Sequence, residues 1–433
     1  MTTLSDMLAT YVNRSLPGRV VRRVRALGHV NWALSDQALV SAVNFLTTIL
    51  VARMVSLEAF GVFSIAWMII LLSKDLQNAA INAPMMSIGP KHSTGELPDY
   101  YGATILQQLI FTTASIGLIL LGCAIATVFY PKMMTAGFIV ALAAVVATDQ
   151  LQDFVRRYLY ANERPAAALV NDLVNSGSRL VLLLVMFAYF PTDVITVLWL
   201  MTGCAMAGVG VGALSIGTVR FSRNWMNSIA LRHWQFSKWM SATSMLRWLS
   251  SNLIILVSGG VLGPQVVGAI RAAINVMAPR NVLILGLNNV ALVRGARKMQ
   301  AEGTSGLRLF LSKILTVGVA FDLCLSIGAA IFADKIMFYL YGPKFVPYSF
   351  IIYWLACINI VHFLGFTVGI GLQILEHTRP FFTSALIEAA FGVAASYGLV
   401  AWFGLTGTLA GLAITNIMVL ACLAPPLIKR LRS

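Results

Sequence analysis

"IILLSKDLQNAAINAPMM", residues 69–86, decides how the whole chain is read. It starts as apolar as any bilayer-spanning helix. Then come Lys74, Asp75, Gln77, Asn78 and Asn82. If the stretch spans a membrane, these groups must face one another or a wet cavity, because each ionised side chain costs roughly 2.5–3.5 kcal/mol at a lipid-facing helix centre. Lys74, Asn78 and Asn82 recur every four residues, which places them on one helical face. Lys74 and Asp75 are neighbours in sequence, point about 100° apart and need partners on other helices. Two readings stand for the stripe. It lines a cavity, or it is a buried structural network that joins helices.

The surrounding composition settles that the stretch does span. Of 433 residues, 58% are hydrophobic and 11% charged, against about a quarter charged in soluble domains. Apolar runs of about 20 residues, the length that crosses hydrocarbon as a helix, recur along the chain. They predict an all-α membrane protein of twelve transmembrane helices, near 36–56, 60–87, 101–129, 136–160, 167–190, 194–218, 236–260, 265–292, 307–333, 348–373, 380–401 and 404–428. The connections are too short for a soluble domain.

Basic residues fix the expected orientation. With the N-terminus cytoplasmic, 22 loop and terminal Lys and Arg residues lie inside, and Lys132, Lys335 and Lys344 lie outside. That split follows the positive-inside rule, so the net charge of +15 is largely topological and does not imply a nucleic-acid partner. Both termini are expected in the cytoplasm, in a cell (inner) membrane. Residues 1–35 read as a basic cytoplasmic segment with no cleavable leader, lying on the inner membrane surface or simply solvated.

Six spans return the chain to its starting side, and six more repeat the journey. The expected organisation is an N-lobe over 36–218, a cytoplasmic linker over 219–235 and a C-lobe over 236–433. "MVSLEAFGVFSIA" (54–66) and "LVSGGVLGPQVVGAIRAA" (256–273) share a G-x-[FI]-x-x-A pattern after an outer turn. Both halves start inside, so the pseudo-repeat is parallel, and transporters built in this way bind substrate between the halves near mid-membrane.

Within the spans lie six cations, Arg53, Lys74, Arg179, Arg247, Arg271 and Arg280, and five acids, Asp75, Asp149, Asp172, Asp322 and Glu388. Polar stripes occur on the first helix (Ser41, Asn44, Thr48), the second, the fifth (Asn171, Asn175, Arg179), the seventh (Ser244, Arg247, Ser251) and the eighth (Arg271, Asn275). The candidate substrate-binding residues are Lys74, Asn78, Arg247, Arg271, Asn44, Asn275, Arg53 and Arg179. Arg53 and Arg280 lie near span ends, where a snorkelling role is the alternative. Asp322, Glu388 and Asp75 are the candidates for ion coupling, while His362 reads foremost as a satisfied core histidine. Pro279 must bend the eighth helix. Asp153 and Arg157 form an i,i+4 structural pair. There is no GxxxxGK[ST] motif, no metal-ligand spacing and no cysteine pattern, so neither cofactor nor metal is expected, and the chain reads as a transporter without catalytic machinery.

Two stretches carry a family likeness. "LSDQALVSAVNFLTTILVARMVSLEAFGVFSIAWMI" (34–69) and the Gln-x-Phe-x-Arg-Arg-Tyr pattern within "DQLQDFVRRYLYANERPAAALVNDL" (149–173) resemble the polysaccharide exporters and lipid-linked oligosaccharide flippases of the multidrug/oligosaccharidyl-lipid/polysaccharide (MOP) superfamily. The resemblance implies two six-helix lobes in a V, alternating access and a cationic lumen for an anionic undecaprenyl-diphosphate-linked saccharide. In this chain the lumen positions would be Arg53, Lys74, Arg247 and Arg271. Membrane lipids, and polymerase or export proteins, are the partners it implies. A cation-coupled drug antiporter of the same superfamily is the alternative, and would call for a cavity dominated by acids. A scaffold without transport would fill its cavity with packed side chains.

Overall fold

The structure, a computed structural model, describes residues 39–129 and 134–432. The basic segment 1–35, the Asp-Gln pair at 36–37 and Lys132 lie outside them. The chain is an all-helical, multi-pass membrane protein of twelve spans in two lobes. In the first lobe α1 is Leu39–Met54. α2 runs from Leu57–Gln77 through a π-helical turn, Asn78–Asn82, into Ala83–Ile88. α3 is Leu97–Phe129 and α4 is Ala136–Ala161. α5 is Pro165–Asp172, a second π turn Leu173–Gly177, and Ser178–Tyr189. α6 is Val194–Ala213.

In the second lobe α7 is Arg223–Leu262, and α8 is Pro264–Val276 followed, after a break at Met277, by 278–302. α9 is 304–331 and α10 is Phe350–Ile374. α11 (379–403) and α12 (405–432) meet at Gly404. Gly303 and Gly404 take positive φ, +66° and +58°, where a side chain would be strained. They turn consecutive helices about without a loop.

One sequence expectation is modified, the start of the seventh helix. Pro84 lies within α2. It stands in the first turn after the π segment, where its missing N–H is not needed. The helix α7 begins at Arg223 and not near 236, so most of the expected linker is helical. At about 1.5 Å per residue its 40 residues reach about 60 Å, twice the hydrocarbon thickness. The excess packs on the α2–α3 connection, where the Tyr100 hydroxyl meets His233 Nε2 at 3.0 Å and the His92 ring packs against Tyr100 and Trp225.

Lipid-facing positions keep their apolar side chains. Leu118 and Leu121 of α3 are 69% and 60% exposed. Lipid gives helices no hydrophobic reason to associate, so close backbone approach through small residues replaces it. Gly208 and Gly212 of α6 lie against Asn171 and Asn175 of α5, and a Cβ on Gly212 would come within 2.8 Å of Asn171 Nδ2.

The lobes are sealed together at one end. A Cβ on Gly61 of α2 would stand 1.8 Å from the Pro264 carbonyl oxygen, and one on Gly268 would stand 3.0 Å from Gly61 N. Arg53, at the end of α1, donates to the carbonyls of Leu340 (2.8 Å) and Tyr339, and Lys344 donates to Val55 O. Arg53 thus straps the two lobes at this sealed end instead of snorkelling to headgroups. The opposite, basic end carries Lys91, Arg164, Arg220 and Arg297. Gly61→Val should force the sealed end apart. Val55, whose carbonyl takes the Lys344 bond at this end, is 6% exposed, so a cysteine placed there should stay unlabelled by a water-soluble maleimide in the parent and label readily in the valine variant.

Candidate functional site

The opening stretch finds its partners within its own lobe. Lys74 Nζ lies 2.9 Å from Asp149 Oδ2 on α4. One π turn further along, Asn82 Nδ2 donates to Asp153 Oδ2 at 2.9 Å, and between them Gln77 donates to Gln150 O at 2.7 Å. The polar face of α2 is therefore laid along the polar face of α4, whose Asp149, Gln152, Asp153 and Arg156 follow helical spacing. α5 closes the network. Arg156 Nε lies 2.6 Å from Asp172 Oδ2, Gln152 donates to Asp172 Oδ1 at 2.7 Å, and Arg179 donates to Asn44 Oδ1 of α1 at 3.0 Å.

These groups line a cavity of about 60 Å³ inside the first lobe. Three cations border it, Lys74, Arg156 and Arg179, with three carboxylates, Asp149, Asp153 and Asp172. Its charge therefore balances. Six ionised groups are tolerable at this depth because each has a counter-charge and hydrogen bonds. Arg157 approaches Asp153 at 3.7 Å, the i,i+4 pair read from the sequence.

The second polar region sits at the lobe interface. A cavity of about 150 Å³ is bordered by Thr48 of α1, Ser64 and Trp67 of α2, and Arg271, Asn275 and Asn281 of α8. Trp67 borders both cavities. Arg271 donates to Asn252 Oδ1 of α7 at 2.7 Å, and its Nε is buried without a hydrogen-bond partner among the described residues. No carboxylate among the described residues acts on it. Asn275 donates to the Tyr341 hydroxyl at 2.8 Å and to Phe45 O at 3.4 Å, across the interface. Arg247 of α7 and Asp75 of α2 are both exposed and lie outside the lining of this cavity. Asn78 is half-buried within the π turn.

The eleven candidate residues thus divide. Lys74, Asn44 and Arg179 share the balanced cavity. Arg271 and Asn275 share the interface cavity. Arg247 and Asp75 are exposed and border neither cavity. Arg53 stands apart at the sealed end. Asp322, 1% exposed, is paired with Arg280 inside the second lobe, which also shows that Arg280 does not snorkel. Glu388 on α11 is half-buried, one helical turn from Ser384, whose hydroxyl donates to Phe381 O at 3.1 Å. Lys74, Arg247 and Arg271 do not gather around one space, because Asp149 holds Lys74 in its own lobe. Sequence reading missed Asp149 and Asp153 as the partners of α2, although their four-residue spacing matches its stripe. It also missed Asn252, a lone amide that nothing in the sequence joins to Arg271.

No family model matches this chain, and no curated protein matches it. Solved structures do. An inward-facing multidrug resistance MATE transporter of the MOP superfamily superposes with a TM-score of 0.72 at 14% identity, over 90% of this chain and 94% of its own. The lipid II flippase MurJ, in an inward closed conformation, gives 0.68 at 14% identity over 93% and 89%. A MOP transporter from Pyrococcus furiosus, described as having a binding pocket of reverse polarity, gives 0.55 at 12% over 92% and 94%. At these identities the likeness establishes the fold, the twelve-helix, two-lobed architecture shared by these MOP superfamily transporters.

Proposed function

We propose that the chain is an alternating-access exporter of the cytoplasmic membrane that carries an anionic, polyprenyl-diphosphate-linked saccharide from the leaflet at the basic end, the cytoplasmic side, to the opposite leaflet. One observation carries this reading. Arg271 is a guanidinium at the lobe interface, hydrogen-bonded to an amide, with no carboxylate to neutralise it. A site of that kind is completed by an anion, and a guanidinium holds phosphate through paired, charge-assisted hydrogen bonds. The amides and hydroxyls of Asn275, Asn281, Thr48 and Ser64 suit sugar hydroxyls. Lys74 is committed to Asp149 and serves the first lobe's internal balance, not the diphosphate. The fold supports transport of either a lipid-linked substrate or a drug, since MurJ and MATE proteins share it. The drug-antiporter reading needs an acidic interface, whereas the interface cavity is bordered by Arg271 and no carboxylate, and the three carboxylates of the first-lobe cavity are matched by three cations.

The test uses the purified chain in liposomes loaded with a fluorescent polyprenyl-diphosphate saccharide. Faster appearance of the saccharide in the opposite leaflet, in competition with unlabelled anionic glycolipid, is the expected result. Indifference to that lipid, together with uptake of a cationic dye driven by a proton or sodium gradient, would overturn the assignment.

A further inference from the structure

The second lobe holds a cluster that the proposed substrate site does not use. The eighth helix breaks at Met277, whose N–H reaches back only three residues to Ile274 O, and Pro279 comes two positions later with no N–H to give. Arg280 is the first side chain beyond the break able to anchor the 278–302 half of the helix. It is 4% exposed and makes three contacts on two other helices. Its Nε donates to Asp322 Oδ1 of α9 at 2.8 Å. A terminal nitrogen donates to Asn359 O of α10 at 2.9 Å and meets His362 Nδ1 of α10 at 3.0 Å. Asp322 Oδ2 is buried and has no partner among the described residues. His362, expected from the sequence as a core histidine, is exposed.

We propose that the Arg280–Asp322–His362 cluster is a proton-binding site that controls the bend of α8. Guanidinium is only a donor, so the Arg280–His362 bond requires His362 Nδ1 to be unprotonated. A proton taken up at Nδ1 turns the acceptor into a donor and sets an imidazolium against a guanidinium. No covalent bond changes, but that hydrogen bond must open, which loosens one of the three contacts of Arg280 and sets a second positive charge beside it. Proton binding and the Arg280–His362 bond are therefore mutually exclusive, and whatever opens the bond favours the proton reciprocally.

The helix responds because Arg280 ties the 278–302 half of α8 to α9 and α10, while the Pro264–Val276 half stays packed on α2 through Gly268. The charged groups around His362 are few. Arg280 from α8 meets it directly, Asp322 from α9 pairs with Arg280, and Glu388 on α11 makes no ion pair with any of them. The inference goes beyond the proposed transport and holds for any substrate.

The test needs no substrate. Hydrogen–deuterium exchange of the full-length protein in nanodiscs, each rate taken relative to the intrinsic rate at the same pH, should show residues 277–287 about tenfold less protected at pH 5 than at pH 8, within the usual range of coupling. His362→Gln, whose amide oxygen can still accept from Arg280, should keep the segment protected at both values. Asp322→Asn, which takes the counter-charge from Arg280, should leave it poorly protected at both. His233→Gln, at the other histidine packed among helices, should behave as the parent. A parent segment indifferent to pH would overturn the proposal. So would a His362→Gln variant that retains the parent response, an Asp322→Asn variant protected at both values, or a His233→Gln variant that loses the response.

Discussion

Arg271→Ala should weaken binding of a polyprenyl-diphosphate saccharide by about 10- to 100-fold, the loss expected for hydrogen bonds to a charged group worth about 1.5–3 kcal/mol. The protein should insert and fold as before. The second half of this expectation is the discriminating one. Removing one member of a buried ion pair strands the other charge and destabilises the fold. Arg271 has no such member among the described residues, and its removal strands only the Asn252 amide oxygen. Thermal stability in detergent should therefore hold steady or rise while flipping is lost. Arg271→Lys should restore part of the activity, because it keeps the charge and gives up the planar fork. Full flipping in the alanine variant would remove Arg271 from the substrate site. A sharp loss of stability would show that it neutralises a group of the protein itself.

The pair Lys74–Asp149 should behave in the opposite way. Lys74→Ala leaves Asp149 beside a buried cavity without its 2.9 Å partner, at a cost of about 3–5 kcal/mol, and Asp149→Ala leaves the ammonium stranded at similar cost. Combined, the two changes delete a balanced pair, and both stability and flipping should return most of the way. Thermal melts of the four proteins in a double-mutant cycle measure the coupling. Flipping by the same proteins separates structure from transport. A double variant that is stable yet cannot flip the glycolipid would return Lys74 to the substrate. Independent, additive losses would mean that the two side chains do not support each other.

Much of the architecture could be read from residues alone, because a bilayer permits little else. Twenty apolar residues must be a helix there, and "MVSLEAFGVFSIA" and "LVSGGVLGPQVVGAIRAA" could be matched as equivalent stretches, although their shared pattern did not foretell that Gly61 and Gly268 meet. That Lys74 and Asp75 must look to other helices was equally legible from the angle between neighbouring positions. Which helices they would find was not. Asp149 and Arg247 are 75 and 172 positions away, and a helical wheel ranks no partner above another. The stripe Lys74–Asn78–Asn82 suggested a wall of a shared lumen, yet the same spacing suits contact with a second polar helix, and α4 supplies one. Arg280 read as a residue near a span end. Its burial comes from the break at Met277, which turns the helix inward and depends on packing no sequence window contains.

The π turn of α2 has a consequence for comparing this chain with its relatives. In a regular α-helix Lys74 and Asn82, eight positions apart, would point about 80° away from each other. The five-residue turn at Asn78–Asn82 absorbs that excess and brings both onto α4. The turn is thus the trace of one inserted residue, and α5 carries another at Leu173–Gly177. A relative one residue shorter in this interval would still cross the bilayer, but its polar line would swing off α4 and its Asp149 or Asp153 equivalent would be orphaned. An alignment gap between 78 and 82 should therefore always come with a changed residue at 74, 82, 149 or 153, and chains that break this rule would be the ones built around a different first lobe.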